Sequence, residues 1–231
     1  MISVIIPTYN EVDCILNTIE QLKLNDTSQL IKEIIISDGA STDATCNIES
    51  SKVKIVHAPI KGRAAQMNYG ATFATGDILY FLHADTIPPK DFTSEIISSI
   101  QNGNGAGCYR LSFDYQHWFL KANCWFTRFD IDSIRFGDQS LFVAKDLFKK
   151  AGGFSEKHIV LEDQHFISKI KKLAKFQVLK KEVTTSARKY LENGIYKTQA
   201  IFFLIYFMYR MGYSQQKLVA TYRRLITQNK I

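Results

Sequence analysis

Four short β-branched runs, at residues 2–6, 33–37, 53–57 and 78–82, punctuate the first 82 residues of the chain. They are mostly too apolar to leave one face in water, which is how strands covered on both sides read. Between them Val12, Ile15, Leu16, Ile19 and Leu22 keep the i, i+3, i+4, i+7 spacing of a helix stripe, and Ala64, Met67, Ala71 and Ala74 keep it more weakly. The resulting order, β-α-β-α-β-α-β, predicts an α/β fold with a largely parallel sheet and helices on both faces. Ligands of such sheets bind beyond the carboxyl ends of the strands, so residues 7–11, 38–43, 58–63 and 83–85 are where a site is expected.

Beyond residue 90 the pattern loosens. A helix stripe at 92–100, the turn signal Gly103-Asn104-Gly105 and a strand at 106–114 precede an aromatic stretch at 115–129 that is expected to be partly helical. Within it Trp118, Phe119, Trp125 and Phe126 stand at i, i+1, i+7 and i+8, which reads as core, with stacking on an acceptor as the alternative. Phe166, Ile167, Ile170, Leu173 and Ala174 form a further helix stripe, with the acidic pair Glu162-Asp163 at its dipole-favoured N-terminal end. Residues 195–211 and 214–228 read as two helices parted by Gly212, the second with Leu218, Val219, Tyr222, Leu225 and Ile226 on one face. No internal repeat or long linker divides the 231 residues. One large domain with an appendage is expected: residues 1–190, with halves at 1–110 and 111–190, and a helical extension at 191–231.

Composition excludes several classes. With 46% hydrophobic and 22% charged residues the chain is neither disordered nor low-complexity. Cys14, Cys46, Cys108 and Cys124 form no C-x-x-C, so a disulfide framework or structural zinc site is not suggested and a reducing cytoplasm is the natural reading. No basic n-region precedes the first apolar run, which Pro7 stops, so no signal peptide is read there. The net charge of +7 is uneven: residues 166–231 carry 14 Lys/Arg against Glu182 and Glu192 alone. That suits an anionic membrane surface or a polyanion, and equally a solvated basic face. The longest apolar run, at 200–209, reaches about 15 Å as a helix against a hydrocarbon core of about 30 Å, too short to span. Lying flat beside its cations it suits contact with a membrane surface, while Ile201, Leu204, Ile205 and Met208 also make the stripe of an ordinary core or dimer-forming helix.

Three expected loops carry chemistry. Asp38-Gly39-Ala40-Ser41-Thr42-Asp43 follows a strand, where a carboxylate can accept from a nucleobase; the plain alternative is an Asx turn with Asp43 capping the next helix. In His83-Ala84-Asp85 the first and third side chains point the same way if the segment is extended, so both can approach one ion. The Asp oxygen suits Mg²⁺ or Mn²⁺ and the imidazole prefers Mn²⁺; otherwise His83 is a packed polar residue and Asp85 a turn former before Pro88-Pro89. Lys61-Gly62-Arg63 sits where a loop meets a helix N-terminus, a phosphate site or a solvated basic turn. All three fall at one end of one predicted sheet. Together they describe a nucleotide-diphosphate pocket.

The segments Pro7-Thr8-Tyr9-Asn10-Glu11, 38–43, 83–85 and Glu162-Asp163 resemble, in order and approximate spacing, the family 2 glycosyltransferases of GT-A fold over roughly residues 1–175. A closer resemblance, through residues 62–68, 81–86, 136–139, 152–154, 185–188 and 209–212, is to the sub-branch called radical-SAM/selenodomain-associated transferase 2, a name that records genomic company. This resemblance implies a three-layer α/β/α fold with a mostly parallel mixed sheet and a helical C-terminal extension. It also implies inverting, metal-dependent transfer from a UDP- or GDP-linked sugar to an acceptor hydroxyl. By position Pro7, Tyr9 and Glu11 line base and ribose, Asp38 holds the base, Arg63 contacts the diphosphate, His83 and Ala84 border the donor, and Asp85 binds the divalent metal. Many members carry Asp where this chain has His83. Asp163 is the expected base, since inversion needs a carboxylate to take the acceptor's proton while a cation neutralises the leaving diphosphate. Glu162 points about 100° away on a helix, and it, Asp138 and Arg188 are lesser candidates on the acceptor side, Arg188 with Lys189 as a basic lid.

Two other classes are weighed against this. A sugar-phosphate nucleotidyltransferase calls for a Gly-rich loop after the first strand, which Pro7-Thr8-Tyr9-Asn10-Glu11 is not. A non-catalytic polyanion- or membrane-binding module would use the basic C-terminal region. The overall expectation is a cytoplasmic enzyme without a nucleic-acid partner, peripheral at the inner face of a membrane if it meets one, and able to form a homodimer.

Overall fold

A computed structural model describes residues 1–131 and 137–227. Phe136 of the expected 136–139 turn and Gln228 of the last expected helix lie outside them. Eight strands, β1 (Ile2–Thr8), β2 (Ile31–Asp38), β3 (Val53–His57), β4 (Ile78–Phe81), β5 (Thr86–Ile87), β6 (Ala106–Phe113), β7 (Leu141–Ala144) and β8 (Phe176–Thr185), form one sheet in the order β3-β2-β1-β4-β7-β6-β8-β5. β3, β2, β1 and β4 run parallel; β7 is antiparallel to both its neighbours, β6 and β8 are parallel, and β5 is antiparallel. This is the mostly parallel mixed sheet that the GT-A resemblance implied.

Period-two alternation explains the three layers. Val4 and Ile6 face one side and pack with Ile15, Ile19 and Leu22 of α1 (Val12–Asn25). Ile5 faces the other and packs with Ala64, Met67 and Ala71 of α2 (Arg63–Phe73). Each such isoleucine, fully buried, stabilises the fold by roughly 1.5–3 kcal/mol. α3 (Phe92–Gln101) lies on the first face, and α5 (Lys145–Ala151) and α6 (Glu162–Lys171) on the second.

The structure corrects several expectations. Between β2 and β3 there is a 3-10 turn, Ala44–Cys46, in place of a full helix: Asp43 caps it by accepting from the Thr45 amide at 2.9 Å, but residues 47–52 supply no apolar stripe to extend it. Leu16 is exposed; its place on the buried face of α1 is taken by Thr18, whose hydroxyl donates to the Ala84 carbonyl at 2.5 Å. Leu173 lies past the end of α6 and is also exposed. Most consequentially, the aromatic group of α4 (Trp118–Phe126) is not core. Leu120 is its one buried residue, while Trp118, Trp125 and Phe126 are 67%, 48% and 51% exposed.

At the C-terminus, α7 (Arg188–Asn193) leads into α8 (Ile195–Arg210) and α9 (Gln215–Leu225), with Gly212 at φ +80° in the turn between the last two. Ile201, Ile205 and Met208 pack with Leu218, Val219 and Tyr222 and reach Val160 just ahead of α6. Leu204, expected in that stripe, is exposed. Across residue 190, Tyr190 packs with Leu120 and Ala187, and Phe202 joins them. No described helix is long and apolar enough to cross a membrane.

Candidate active site

The carboxyl ends of β1 and β2 are laced together. The Asn10 amide donates to Ser41 Oγ at 2.9 Å, Thr42 N to Asn10 Oδ1 at 2.8 Å, and Glu11 N to Thr45 Oγ1 at 2.8 Å. Gln66 of α2 completes the lacing: its buried amide donates to the Thr8 carbonyl at 2.6 Å and the Ser37 carbonyl at 2.9 Å. Gly39 leaves room for that approach: a Cβ there would stand 2.8 Å from the end of the Gln66 side chain, which would have to shift from these bonds. These bonds aim Pro7, Thr8, Tyr9 and Glu11 into a cavity of about 430 Å³ beyond the strand ends.

Across the cavity, Gly62 at φ +138° starts α2 and delivers Lys61 and Arg63 to the wall. Lys61 Nζ sits 3.3 Å from the centre of the Tyr9 ring, a cation over an aromatic face. The Arg63 guanidinium lies 3.2 Å from Glu162 Oε1. Glu162 is thereby committed to holding Arg63; it is buried and does not line the cavity, which moves it away from the acceptor role expected of it.

His83, Ala84 and Asp85 all line the cavity, but the segment turns instead of extending: Thr86 N donates to the His83 carbonyl at 3.2 Å. The two side chains therefore go to different partners. His83 Nδ1 stands 3.2 Å from Asp138 Oδ1, whereas Asp85 Oδ2 stands 3.6 Å from Arg188 Nη2. Arg188 also donates to Glu11 Oε2 at 3.3 Å. It is held at the start of α7 in an ion-paired position, not in a loose lid.

Burial pushes the Asp85 carboxyl up, and the neighbouring Asp138 and Glu11 add to this against the opposing pull of His83 and Arg188. Asp138 goes the other way: burial is outweighed by the His83 hydrogen bond and charge, which hold it well below the usual carboxylate range. His83 is correspondingly raised, the Asp138 bond prevailing over burial. Asp163, buried and adjoining Glu162, is pushed up to about 7 by burial first and then by the Glu162 charge; like Glu162, it is not among the residues that line the cavity. Glu11, Asp85 and Asp138 all line the cavity, each against a cation, and a hard divalent ion fits carboxylate oxygen donors such as these. Asp85 is the residue that would hold it.

Asp38 does not reach the cavity. Its carboxylate accepts from the Ser41 hydroxyl at 2.5 Å, the Ser41 amide at 2.9 Å and the Thr8 hydroxyl at 3.2 Å, bonds that together outweigh burial and lower its pKa. This is the Asx-turn arrangement. With Cys46 and His57 it forms a cluster whose ligand atoms lie within 4.8 Å of one another. Burial and the Asp38 charge push the Cys46 thiol up to about 11, so that trio holds its proton at neutral pH.

Sequence reasoning missed part of the wall. Thr185 and Ser186 come from the end of β8, Tyr190 from α7, Phe202 from α8 and Arg223 from α9. The aromatic cluster of Tyr190, Phe202 and Tyr222 beneath Lys189 was the available signal: it joins segments that the expected boundary at residue 190 separated.

With the site in view, comparison with known proteins decides its lineage. Residues 3–155 match the profile of glycosyl transferase family 2. The chain belongs to that family. A curated relative in it, the amylovoran biosynthesis glycosyltransferase AmsB of Erwinia amylovora, is 34% identical over 114 residues, 46% of this chain and 37% of AmsB. A Mycobacterium tuberculosis uncharacterized glycosyltransferase is 27% identical over 108 residues, 45% of this chain and 41% of that protein. The chain therefore spans less than half of each of these two relatives. Among solved structures, the mannosyltransferase PcManGT of Pyrobaculum calidifontis in complex with GDP-Man and Mn²⁺ aligns with TM-score 0.71 at 19% identity, covering 97% of this chain and 70% of that one. S. aureus TarS 1-349 in complex with UDP-GlcNAc aligns with TM-score 0.67 at 16% identity, covering 99% and 74%. The likeness in fold to these structures runs over nearly the whole chain, whereas the family profile ends at residue 155, ahead of β8.

Proposed function

We propose that this family 2 chain transfers a sugar from a UDP- or GDP-linked donor to an acceptor hydroxyl, with inversion at the anomeric carbon and with help from a divalent cation. Residues 1–110 then serve the donor, 111–190 the acceptor, and 191–231 form the extension that closes the cavity. Tyr9, Pro7 and Glu11 border base and ribose, with Lys61 fixing the Tyr9 ring. Asp38 supports this wall from behind, by its bonds to Thr8 and Ser41. A Mn²⁺ or Mg²⁺ ion, when bound, supplies positive charge to the leaving diphosphate, and Asp85 is its protein ligand. Donor binding separates Arg188 from Asp85 and Glu11 and turns its guanidinium to the diphosphate. His83, whose proton affinity the Asp138 contact raises, adds a second charge beside Ala84 in its protonated form.

The observation that carries the reading is the division of labour among three carboxyls. Asp138, locked to His83 and far below the usual range, is too weak a base to take a hydroxyl proton. Asp85 faces the cation. Asp163, pushed up by burial and the Glu162 charge, has the affinity a general base needs near neutral pH; it lies behind the lining residues Arg63, His83 and Asp138, so in this role the acceptor hydroxyl reaches past them. It takes the acceptor O–H proton as the oxygen bonds to the anomeric carbon, while the bond to the diphosphate breaks and its electron pair leaves with the nucleotide. The resemblance of GT-A neighbours bound to GDP-Man with Mn²⁺ and to UDP-GlcNAc supports the donor class. Incubation with UDP- and GDP-sugars, Mn²⁺ and a panel of acceptor alcohols tests it. A product of inverted anomeric configuration by NMR is expected, and a retained configuration overturns the mechanism.

A further inference from the structure

The outward faces of α4 and α8 break the rule that surface helices turn polar residues to water. On α4 the exposed positions 118, 121, 122, 125 and 126 follow helical spacing and hold Trp, Lys, Ala, Trp and Phe. On α8 the exposed stripe includes Tyr196, Ala200, Phe203, Phe207 and, just past its end, Met211; Phe203, Phe207 and Met211 are each at least 60% exposed. The two stripes meet. The Tyr196 ring lies 4.9 Å from Phe119 and 6.5 Å from Trp118, and Asn123 Nδ2 donates to Gln199 Oε1 at 3.3 Å. α8 buries its opposite face against α9, so this aromatic surface is separate from the one by which α8 packs onto the fold.

We infer that this surface docks on an anionic phospholipid bilayer and delivers a membrane-anchored acceptor to the cavity. Charge complementarity selects the occupant. α4 and α8, the two helices that bear the patch, contain no Asp or Glu, and they carry Lys121, Lys197 and Arg210. A second copy of this chain, seated on the same patch, would set those cations against their own images, whereas an anionic leaflet neutralises them. Trp, Tyr and Phe framed by Lys and Arg suit the headgroup boundary, where a helix lies in the plane with its apolar face a few ångströms deep. The 16-residue α8, about 24 Å long at 1.5 Å per residue, offers such a face without crossing. Phe202 lines the cavity and Phe203, the next residue, faces out, so the docking surface adjoins the cavity wall. The delivery half of the inference rests on the glycosyl-transfer reading; the docking half does not.

The test is flotation of the whole chain with vesicles of phosphatidylcholine alone and of equal parts phosphatidylcholine and phosphatidylglycerol, at low and high salt. Binding to the anionic vesicles only, weakened by salt, is expected. Phe203→Ser with Phe207→Ser, two substitutions at exposed positions, should lower the bound fraction by at least about tenfold by removing apolar burial. The variant should melt at the parent's temperature and keep the parent's shift with UDP and Mn²⁺. Absence of anionic-vesicle binding at low salt overturns the inference, as does a concentration-dependent dimer in sedimentation that the double variant dissolves, which would make the face homotypic. A vesicle-bound protein that shows no nucleotide shift keeps the docking surface and refutes the glycosyl-transfer reading instead.

Discussion

Asp163 is where residue chemistry and stability meet. A carboxyl pushed up to about 7 in the fold from the ordinary aspartate value of 3.8 binds its proton more tightly folded than unfolded. Between those two values the native state holds more protons than the unfolded chain, so stability falls as pH rises through that window. The buried charge beside Glu162 is thus a cost to the fold, one that the proposed role as base would account for. Asp163→Asn should abolish transfer, leave nucleoside diphosphate affinity within a few-fold of the parent, and raise stability above pH 7 by an amount on the order of 1 kcal/mol. Steady-state kinetics, titration calorimetry and urea denaturation at pH 8 check the three parts. The parent's kcat/KM should in turn rise with pH through about 7 as Asp163 gives up its proton. A profile flat from pH 6 to 8 would move the base elsewhere.

At the scale of elements, Gln66 ties the ends of β1 and β2 to α2 by two buried bonds, and so sets the shape of the donor wall. Gln66→Ala leaves the Thr8 and Ser37 carbonyls short of those partners and should destabilise by about 1–3 kcal/mol in urea, with the m-value unchanged. What was legible in the sequence divides along similar lines. β1 to β4 were readable because strands covered on both faces need unbroken Ile and Val, and α1, α2, α6, α8 and α9 because their apolar residues recur at helical spacing. β8 was not: near the sheet edge its middle residues Lys180, Lys181 and Glu182 are exposed, so neither an apolar run nor a clean alternation marks it. The same periodicity that read α6 correctly assigned α4 to the core, because spacing gives a stripe without saying which way it faces. The turn at Ala84 and Asp85 likewise undid the extended-chain argument for His83 and Asp85 sharing one ion, although both residues reach the cavity.

On the scale of the whole molecule, the cavity is walled by residues from Pro7 to Arg223, so donor loops, β8 and the C-terminal helices must all be assembled before it exists. Loss of α9 would uncover Ile201, Ile205 and Met208 and remove Arg223 from the wall. In the cavity wall Glu11 and Asp85 share Arg188 and Asp138 holds His83, so a nucleoside diphosphate arriving with a divalent ion exchanges these internal ion pairs for its own. The measurement that bears most directly on this is thermal unfolding with UDP or GDP, each with and without Mn²⁺, for the parent and for Asp85→Ala. A ligand that binds only the folded state raises the melting temperature, by an amount that grows with the logarithm of its concentration over Kd. The account predicts a rise of several degrees with nucleoside diphosphate that grows when Mn²⁺ is added, and a variant in which the Mn²⁺-dependent part is gone. No shift with either nucleotide, or a Mn²⁺-dependent shift that Asp85→Ala leaves intact, would contradict it.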